Sequence, residues 1–548
     1  MQNYNPEIIE NEIIEFWQKN KIYEKAKAKN NGAKKFYYLD GPPYTSGRIH
    51  IGHAWGKSLR DSIMRYLRMK GLDVWDRPGF DMHGLPTSHK VEAKLGLKSK
   101  DEIGVKVSKE EFVKECEKFA MENMDLMITD FKRLGIWMNW DDPYIPIKSS
   151  FIEGNWWLIK KAHENGYLYE GKKVMSWCPS CATSLAKHEL DYETVTEKSI
   201  FVKFKVLVDE KGKNKEKENE YLIIWTTTPW TIPFNMAVMV NPELDYVRCK
   251  VPARKELEKQ KYGKKEQDEV WILAAGLAAP VIQAVADREM TVIEEFKGEE
   301  LEGLRYRQPF FEEIKFHQEE EERSKNAKEG EQSKRSYTVL LSKEYVTLSA
   351  GSGLVHCAPG CGPEDYEVGH KYKVPAFNEI DEKGEFPKSM GKFAGLVAKK
   401  DDKKFVEALN LKCLLVAETP VEHEYAHCWR CKSPVVFKTT TQWFFDVETE
   451  LKDKMIEANK SIKWVPDWAG NKWFDSWLRN LRDNGITRQI IWGPPLPIWR
   501  CTDKKCNHYD VIGSIDELEK NTAKKRLKIF TSPGLMKLLG NAANATVK

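Results

Sequence analysis

The chain has 548 residues, and its 87 lysines and arginines nearly balance its 83 aspartates and glutamates, which leaves a formal net charge of +4. This length predicts more than one domain, and the charge balance excludes a uniformly basic protein that coats nucleic acid; any basic face must be local. The N-terminal residues predict an amphipathic helix rather than a leader, and no apolar run of membrane length occurs. We therefore expect a cytoplasmic protein with no membrane partner.

The first informative stretch is KKFYYLDGPPYTSGRIHIGHA, residues 34–54. Residues 36–39 predict a buried strand, the glycines and prolines of 41–47 interrupt it, and apolar residues recur at helical spacing over 51–70. His50 and His53 therefore follow the carboxyl end of a strand and begin a helix, where open α/β sheets bind ligands and free N–H groups favour phosphate. Two imidazoles there could donate hydrogen bonds to a phosphate. The alternative is two polar residues at a turn.

The pattern then changes twice along the chain. Residues 1 to about 185 alternate strand-like and helix-like segments, with helices predicted at 51–70, 109–134 and 150–166. Between 190 and 425 short β-like runs dominate. Two mixed-charge stretches in this region, 209–220 and 317–336, predict solvated hairpin tips or disordered loops. From about 430 the α/β pattern returns.

Four of the eleven cysteines form two pairs of identical spacing. Cys178 and Cys181 belong to WCPSC, and Cys428 and Cys431 to HCWRC. Each pair can present two thiolates to a tetrahedral Zn²⁺, and their long separation fits an inserted domain whose two ends meet at one zinc. The alternative is two reduced pairs without metal. Cys501 and Cys506 indicate a further half-site with no second half after it.

Several longer motifs follow one another in a characteristic order. They are DGPPYTSGRIHIGHA, RPGFDMHGLPTSHKVE, WCPSC, WTTTPWTIPFN, GSGLVHCAPGCGPEDY, HCWRC, TQWFF and WGPPLPIW. In this order, over roughly residues 1–515, they resemble the class I aminoacyl-tRNA synthetases, in particular the isoleucyl-tRNA synthetase family of the archaeal and eukaryotic-like branch. DGPPY resembles the isoleucine enzymes more than the valine enzymes.

The resemblance implies an α/β fold: a Rossmann-type class I catalytic domain, incomplete here, that is interrupted by a β-rich editing domain. The implied division is 1–187 for the first catalytic half with its zinc knuckle, 188–425 for the inserted editing domain, 426–515 for the second knuckle and the start of the second catalytic half, and 516–548 for an atypical tail. The implied reaction is ATP-dependent activation of isoleucine and transfer to tRNA(Ile), with Mg²⁺ beside ATP, in a monomer. Because an isoleucine pocket excludes valine poorly, hydrolytic editing of Val-tRNA(Ile) is implied as well.

The resemblance also assigns residues to the synthetic site. His50 and His53 would stabilise the reacting phosphates, and Gly52 would let the nucleotide approach the backbone. Asp81 would hold the substrate ammonium. The remaining substrate-binding positions are Pro42 and Trp443 for the side-chain pocket, Asp475 for the adenylate ribose, and Gln489.

A second set of residues is assigned to editing. Its threonines and amide would bind the terminal adenosine and orient water; these are Thr226, Thr227, Thr228, Thr231 and Asn235. Asp365 would anchor the free amine of the substrate, and His356 would limit the pocket and help to place water. The alternatives are ordinary strand threonines and a hydrogen-bonded core histidine.

The sequence departs from the family pattern in two ways. In DNGITRQIIWG, residues 483–493, Asn484 replaces a pocket tryptophan and Ile490 an arginine. No KMSKS-like segment occurs, and we expect a chain that stops partway through the second catalytic half. This leaves open a fragment that retains only editing deacylase or tRNA-binding activity, and a valine-tRNA ligase specificity.

Overall fold

The computed structural model describes residues 5–97, 100–210, 213–253, 267–501, 503, 506 and 508–521. Its helices are α1 Pro6–Lys19, α2 Ile22–Lys29, α3 Ile51–Met69, α4 Leu85–Lys94, α5 Lys109–Arg133, α6 Ser149–Glu164, α7 Ala275–Ala279, α8 Lys315–Asn326, α9 Pro363–Lys371, α10 Asp402–Leu411, α11 Leu451–Asn459, α12 Asp475–Arg479 and α13 Ile515–Asn521. Its strands are β1 Lys35–Leu39, β2 Asp73–Arg77, β3 Leu168–Cys178, β4 Thr183–Leu185, β5 Leu190–Glu210, β6 Lys213–Thr226, β7 Ala237–Val240, β8 Asp245–Val251, β9 Glu269–Ala274, β10 Thr291–Lys297, β11 Arg305–Arg307, β12 Val339–Leu341, β13 Val355–Cys357, β14 Leu415–Cys428, β15 Val436–Phe445, β16 Asn484–Gly485, β17 Ile498–Arg500 and β18 Tyr509–Val511.

The chain forms two compact units. The first contains the residues up to Tyr169 and those from Trp443 onward, and the second is Glu170–Gln442. The boundaries fall inside β3 and β15. The division into functional domains that we derived from the sequence stays a prediction. Among the described residues, no helix combines the length and apolar character needed to cross a membrane.

The first unit combines helices with a short parallel sheet. β1 pairs with β2 in parallel from Lys35↔Asp73 to Leu39↔Arg77, and α3 connects them. A core cluster joins Phe80 and Met82 to Met127 and Phe131 of the long helix α5. The strands and helices that the sequence predicts here are confirmed, and so is the mixed α/β fold class.

The predicted burial of β1 is wrong for half of its side chains. Tyr37 is 69% exposed and Leu39 is 79% exposed, whereas Phe36 and Tyr38, on the other face of the strand, are half-buried. Successive strand residues point to opposite faces, so a run of apolar residues can have one solvated side. The apolar residues of α3 behave in the same way, since Ile51, Trp55 and Leu59 are all exposed.

The second unit is built on a ten-stranded sheet. Seven strands follow one another in the order β10-β8-β9-β6-β13-β7-β12, and β5 pairs with β6, β11 and β14. β5 and β6 pair antiparallel up to Glu210↔Lys213, so most of the stretch 209–220 is strand rather than the predicted hairpin tip or disordered loop; residues 211–212 lie outside the described residues. β5 and β14 form an antiparallel ribbon that extends to Leu190↔Cys428.

The prediction of a solvated hairpin tip or disordered loop for 317–336 is wrong for the first half of that stretch, whereas the second half, from 327 on, does form turns with exposed residues at 328–332. The first half belongs to α8, where His317, Glu320 and Ser324 are buried. These residues recur at helical spacing on one face, and each is hydrogen-bonded inside the unit. The buried face is polar, so the spacing of apolar residues does not reveal it.

The described end of the chain also packs. Leu518 of α13 joins a core cluster with Ile152, Trp156 and Ile512. The predicted atypical tail from 516 therefore begins as a helix, and its remainder from 522 lies outside the described residues.

Candidate active sites and metal centre

At the start of α3 both histidine side chains accept hydrogen bonds from backbone N–H groups of the same turn. His50 Nδ1 accepts the N–H of Gly52 at 3.1 Å, and His53 Nδ1 accepts the N–H of His50 at 3.4 Å. A neutral imidazole that accepts at Nδ1 carries its proton at Nε2, so each ring keeps an Nε2–H donor. The rings are stacked with centroids 3.7 Å apart. Two parallel donors at a helix N-terminus suit a phosphate.

The surroundings of His53 disfavour its charged form. Burial lowers the pKa of His53, and the neighbouring His50 and Lys57 lower it further. At Gly52, an added Cβ would lie 3.1 Å from Cε1 of His50. Glycine thus makes room for the capping ring of His50, which is a local reason for its presence beside the predicted approach of a nucleotide.

The loop that carries Pro42 is tied to the loop that carries Asp81. The N–H of Asp81 donates to the carbonyl of Pro43 at 2.9 Å, and the N–H of Thr45 donates to the carbonyl of Asp81 at 2.9 Å. Burial raises the pKa of the half-buried Asp81 carboxyl, and hydrogen bonds from Tyr44 and from the N–H groups of His83 and Met82 oppose that shift. The structure therefore brings Asp81 and the loop of Pro42 together.

The other predicted substrate-binding residues have different surroundings. Trp443 is buried with Leu168 and Val511, and its ring packs edge-on against Tyr509 with centroids 4.8 Å apart. Asp475, at the start of α12, accepts from Arg479 Nε at 2.7 Å. The carbonyl of Gln489 accepts from Lys100 Nζ at 3.2 Å, and Asn484 is exposed. These contacts are structural, and the substrate roles of Trp443, Asp475 and Gln489 stay predictions.

A buried ion pair close to the two histidines was not predicted from the sequence. Asp40 and Lys57 form a salt bridge in which the side chains are 0% and 5% exposed. The Asp40 carboxylate also accepts the hydroxyl of Tyr38 at 3.0 Å and the N–H of Gly79 at 3.3 Å. Lys57 lies one helical turn after His53, a spacing that could have pointed to it. The pair fixes α3 to both loops of the site.

A second missed contact involves the WGPP segment. Trp492 is fully buried, its Nε1 donates to the carbonyl of Met82 at 2.5 Å, and its ring lies 5.3 Å from that of His83. Burial lowers the pKa of His83 to about 4, so this imidazole is neutral near pH 7. The motif marks the tryptophan, but only the structure shows that it supports the residue next to Asp81.

In the second unit the threonine segment and His356 form a chain of hydrogen bonds. Thr226, at the end of β6, lies 3.2 Å from Thr228 between hydroxyl oxygens, and Thr228 lies 3.2 Å from Thr231. The hydroxyl of Thr231 donates to the carbonyl of Thr228 at 2.7 Å and lies 3.0 Å from His356 Nε2. The two predicted segments thus meet. Thr227 is half-buried and, among the described residues, makes no side-chain hydrogen bond.

This chain of bonds fixes the tautomer of His356. Because the single hydroxyl proton of Thr231 is donated to a carbonyl, the bond to His356 must come from Nε2–H of the imidazole. Nδ1 is then an acceptor, and it is buried without a partner within the described residues. Burial lowers the pKa of His356 to about 4, so the ring is neutral at pH 7.

Asp365 lies in the first turn of α9, close to the segment that carries His356. Its carboxylate accepts the N–H of Ala358 at 3.3 Å, and burial raises its pKa to about 7. Such a carboxyl gains most when a cation reaches it, because the cation offsets the cost of burying the charge. This property suits the predicted contact with a substrate amine.

The contacts of Asn235 differ from those that its predicted role would require. It is fully buried, its Oδ1 accepts the hydroxyl of Tyr306 at 2.6 Å, and its Nδ2 donates to the carbonyl of Ala237 at 2.8 Å. The amide is therefore engaged in the core behind the threonine segment, where it holds the segment's end.

The four predicted cysteine ligands converge. Their sulfur atoms all lie within 4.8 Å of one another, and Cys178 Sγ is 3.4 Å from Cys431 Sγ. Tetrahedral Zn²⁺ with bonds of about 2.3 Å would separate its thiolates by about 3.8 Å, so the cluster fits such an ion. Each C-x-x-C pair forms a turn, with the N–H of Cys181 directed at Cys178 Sγ at 3.3 Å.

Comparison with known proteins gives the following matches. A family model described as tRNA synthetases class I (I, L, M and V) matches residues 12–539. An isoleucine–tRNA ligase of Methanothermobacter marburgensis is 41% identical over 527 residues, which cover 96% of this chain and 46% of the relative. An isoleucine–tRNA ligase of Pyrococcus horikoshii is 45% identical over 520 residues, with coverages of 94% and 45%. The chain thus spans about half the length of these relatives.

One solved structure is also similar, the ternary complex of Agrobacterium radiobacter K84 agnB2 LeuRS-tRNA-LeuAMS. The alignment covers 93% of this chain and 51% of the chain in that complex, at 15% identity and a TM-score of 0.35.

The buried ion pair generates a stability prediction. Lys57→Met should lower the free energy of unfolding by about 3 kcal/mol, because it leaves the Asp40 charge buried without its main partner. Lys94→Met is the matched control: its partner is Glu115, and the two side chains are 48% and 30% exposed, so only a small fraction of that loss should occur. Urea unfolding of the first unit measures both changes. Equal losses would contradict the role of burial, and Asp40→Asn combined with Lys57→Met should recover part of the loss.

The cysteine cluster predicts about one metal ion per chain. Metal analysis of purified protein should show this ion as zinc, and Cys428→Ser should lose it because one of four ligands is removed. Cys413→Ser is the control, since Cys413 is exposed and outside the cluster. Metal-free protein with four reactive thiols at these positions would contradict the prediction.

Proposed function

The chain belongs to the class I tRNA synthetases (I, L, M and V), and from this membership we propose that it carries the activation site and the editing site of an isoleucine–tRNA ligase. The observation that carries the proposal is its 41% and 45% identity, over almost its whole length, to relatives named isoleucine–tRNA ligase. These relatives favour isoleucine over valine as the amino acid. The proposed partners are isoleucine, ATP with Mg²⁺, and tRNA(Ile).

In the proposed activation step, the carboxylate of isoleucine attacks the α-phosphate of ATP, and isoleucyl-adenylate forms while pyrophosphate leaves. The Nε2–H groups of His50 and His53 donate to phosphate oxygens as negative charge builds on them. The carboxylate of Asp81 holds the substrate ammonium, so that the amino acid is oriented before it reacts. A hydroxyl of the terminal ribose of the tRNA then attacks the acyl carbon, so that the ester forms and AMP leaves.

In the proposed editing step, water attacks the ester carbonyl of Val-tRNA(Ile), and valine and free tRNA leave. Asp365 binds the ammonium of the aminoacyl group. The hydroxyls of Thr228 and Thr231, together with His356, order the ribose and the water, and the imidazole limits the size of the bound side chain. This step uses residues of the second unit alone, and Zn²⁺ in the cysteine cluster would be structural.

Two assays separate the two activities. ATP–pyrophosphate exchange with isoleucine, valine, leucine and methionine tests activation, and exchange with isoleucine alone supports the proposed specificity. The sequence contains no KMSKS-like segment, which in the resembling family binds the ATP phosphates, so this assay tests whether the histidine site acts without one. Hydrolysis of Val-tRNA(Ile), with Ile-tRNA(Ile) as the competitor, tests editing.

Asp365→Ala should lower kcat/KM for Val-tRNA hydrolysis about a hundredfold, because the substrate ammonium loses its half-buried partner. Glu364→Ala is the matched control, since Glu364 is the exposed neighbour on the same turn of α9. Deacylation of radiolabelled Val-tRNA measures both variants. Equal rates for the two would show that the carboxylate at 365 does not hold the amine.

The same residue predicts the pH dependence of editing. Because burial raises the pKa of Asp365 to about 7, its carboxyl is mostly protonated below that pH and cannot pair with an ammonium. Hydrolysis should therefore rise as the pH increases through about 7 and fall again above about 8, where the substrate ammonium loses its proton. Asp365→Asn should remove the rise from the profile of kcat/KM, and Glu364→Ala should keep it at a somewhat lower pH, because the charge of Glu364 also raises the pKa of Asp365.

A further inference from the structure

The threonine segment ends in a short helix whose last carbonyls need partners. This 3₁₀ helix, Pro229–Phe234, carries Thr231. The carbonyl groups at the end of such a helix have no partner within it. Gln308 Nε2 donates to the carbonyl of Ile232 at 2.8 Å, and His317 Nε2 lies 2.9 Å from the carbonyl of Pro233. Both carbonyls are thus held by side chains from outside the segment.

His317 is fixed on both sides of its ring. It is fully buried at the start of α8, and its Nδ1 lies 2.8 Å from the hydroxyl of Tyr337. A carbonyl can only accept, so Nε2 carries the proton and Nδ1 accepts from the tyrosine. Burial lowers the pKa of His317 to about 4, which keeps the imidazole neutral at physiological pH.

The ring is also held by packing. It lies edge-on to Phe377 with centroids 5.6 Å apart, and Phe377 stacks on Phe316 at 3.7 Å. Tyr337 is anchored in turn, because its N–H donates to the carbonyl of Met236 at 2.7 Å. The donor of His317 therefore has one position relative to the end of the threonine segment.

The carbonyl of Pro233 is two residues from Thr231, whose hydroxyl accepts the Nε2–H of His356. A displacement of the helix end would therefore change the bond that orients His356. We propose that His317 is a positioning residue for the hydrolytic site: through the carbonyl of Pro233 it holds Thr231 where Thr231 can orient His356. This inference rests on the proposed editing function.

The geometry excludes a proton-transfer role for His317. Both ring nitrogens are occupied, and the side chain is fully buried. A neutral side chain with a donor at the position of Nε2 should therefore replace it. Glutamine places its amide nitrogen there and offers an oxygen to Tyr337, whereas the shorter asparagine does not reach the carbonyl of Pro233.

The experiment compares His317→Gln with His317→Asn in the full chain, with His370→Gln as the control because His370 is exposed on α9. His317→Asn should lower kcat for Val-tRNA hydrolysis about a hundredfold with little change in KM, as displaced catalytic groups do. His317→Gln and His370→Gln should stay near the unsubstituted protein. The ¹⁵N resonances of the His356 ring should show the Nε2–H tautomer, and only His317→Asn should shift them.

Full activity and unshifted His356 resonances in His317→Asn would overturn the proposal, and so would a loss of activity in His317→Gln as large as that in His317→Asn. If the unsubstituted chain hydrolyses no Val-tRNA, the editing function fails and the His356 resonances alone decide about His317. If His317→Asn does not fold, Tyr337→Phe takes its place. It frees Nδ1 of His317, so it should lower kcat and shift the same resonances, and an unchanged result would overturn the proposal.

Discussion

The first unit depends on one buried negative charge. The carboxylate of Asp40 is inaccessible to solvent and is bound by the ammonium of Lys57, the hydroxyl of Tyr38 and the N–H of Gly79. A buried charge is tolerated only while its partners stay in place, so these groups cannot move independently. Lys57 belongs to the helix of the two histidines, and Gly79 lies two residues before Asp81. The two histidines proposed to bind phosphate and the carboxylate proposed to hold the ammonium are thus linked through one buried anion.

In the second unit, neutral groups rather than a buried charge hold the side chains of the site in place. His356 and His317 are buried and uncharged. Each is held in one tautomer because its Nε2–H donates to an oxygen that can only accept from it: the hydroxyl of Thr231 for His356 and the carbonyl of Pro233 for His317. Hydrogen bonds of fixed direction run from the core to the threonine hydroxyls. A site of this kind can order water without placing a fixed charge beside an ester. Asp365 is the exception, and its raised pKa reflects the cost of its burial.

Sequence reasoning predicts what is local or repeated. The strand, the glycine–proline loop and the helix at 36–70 follow from their own residues, and the convergence of the four cysteines follows from two equal spacings. The pairing of Asp40 with Lys57 depends on how a loop returns to a helix, which no local pattern contains. α8 is missed for a different reason: its inward face consists of His317, Glu320 and Ser324, and the hydrophobic period detects only apolar faces. Apolarity also misplaces Tyr37 and Leu39, which face solvent.

The solvent-facing side of α3 and β1 has a consequence for the protein in solution. Ile51, Trp55 and Leu59 form a stripe along the helix, and Tyr37 and Leu39 add aromatic and aliphatic surface on the strand. Water ordered over such a surface is released when two surfaces meet, and the gain grows with the area covered. Covering this face in an association of two chains would therefore be favourable, and more so at higher concentration. Cooling would weaken such an association, because hydrophobic attraction decreases at low temperature.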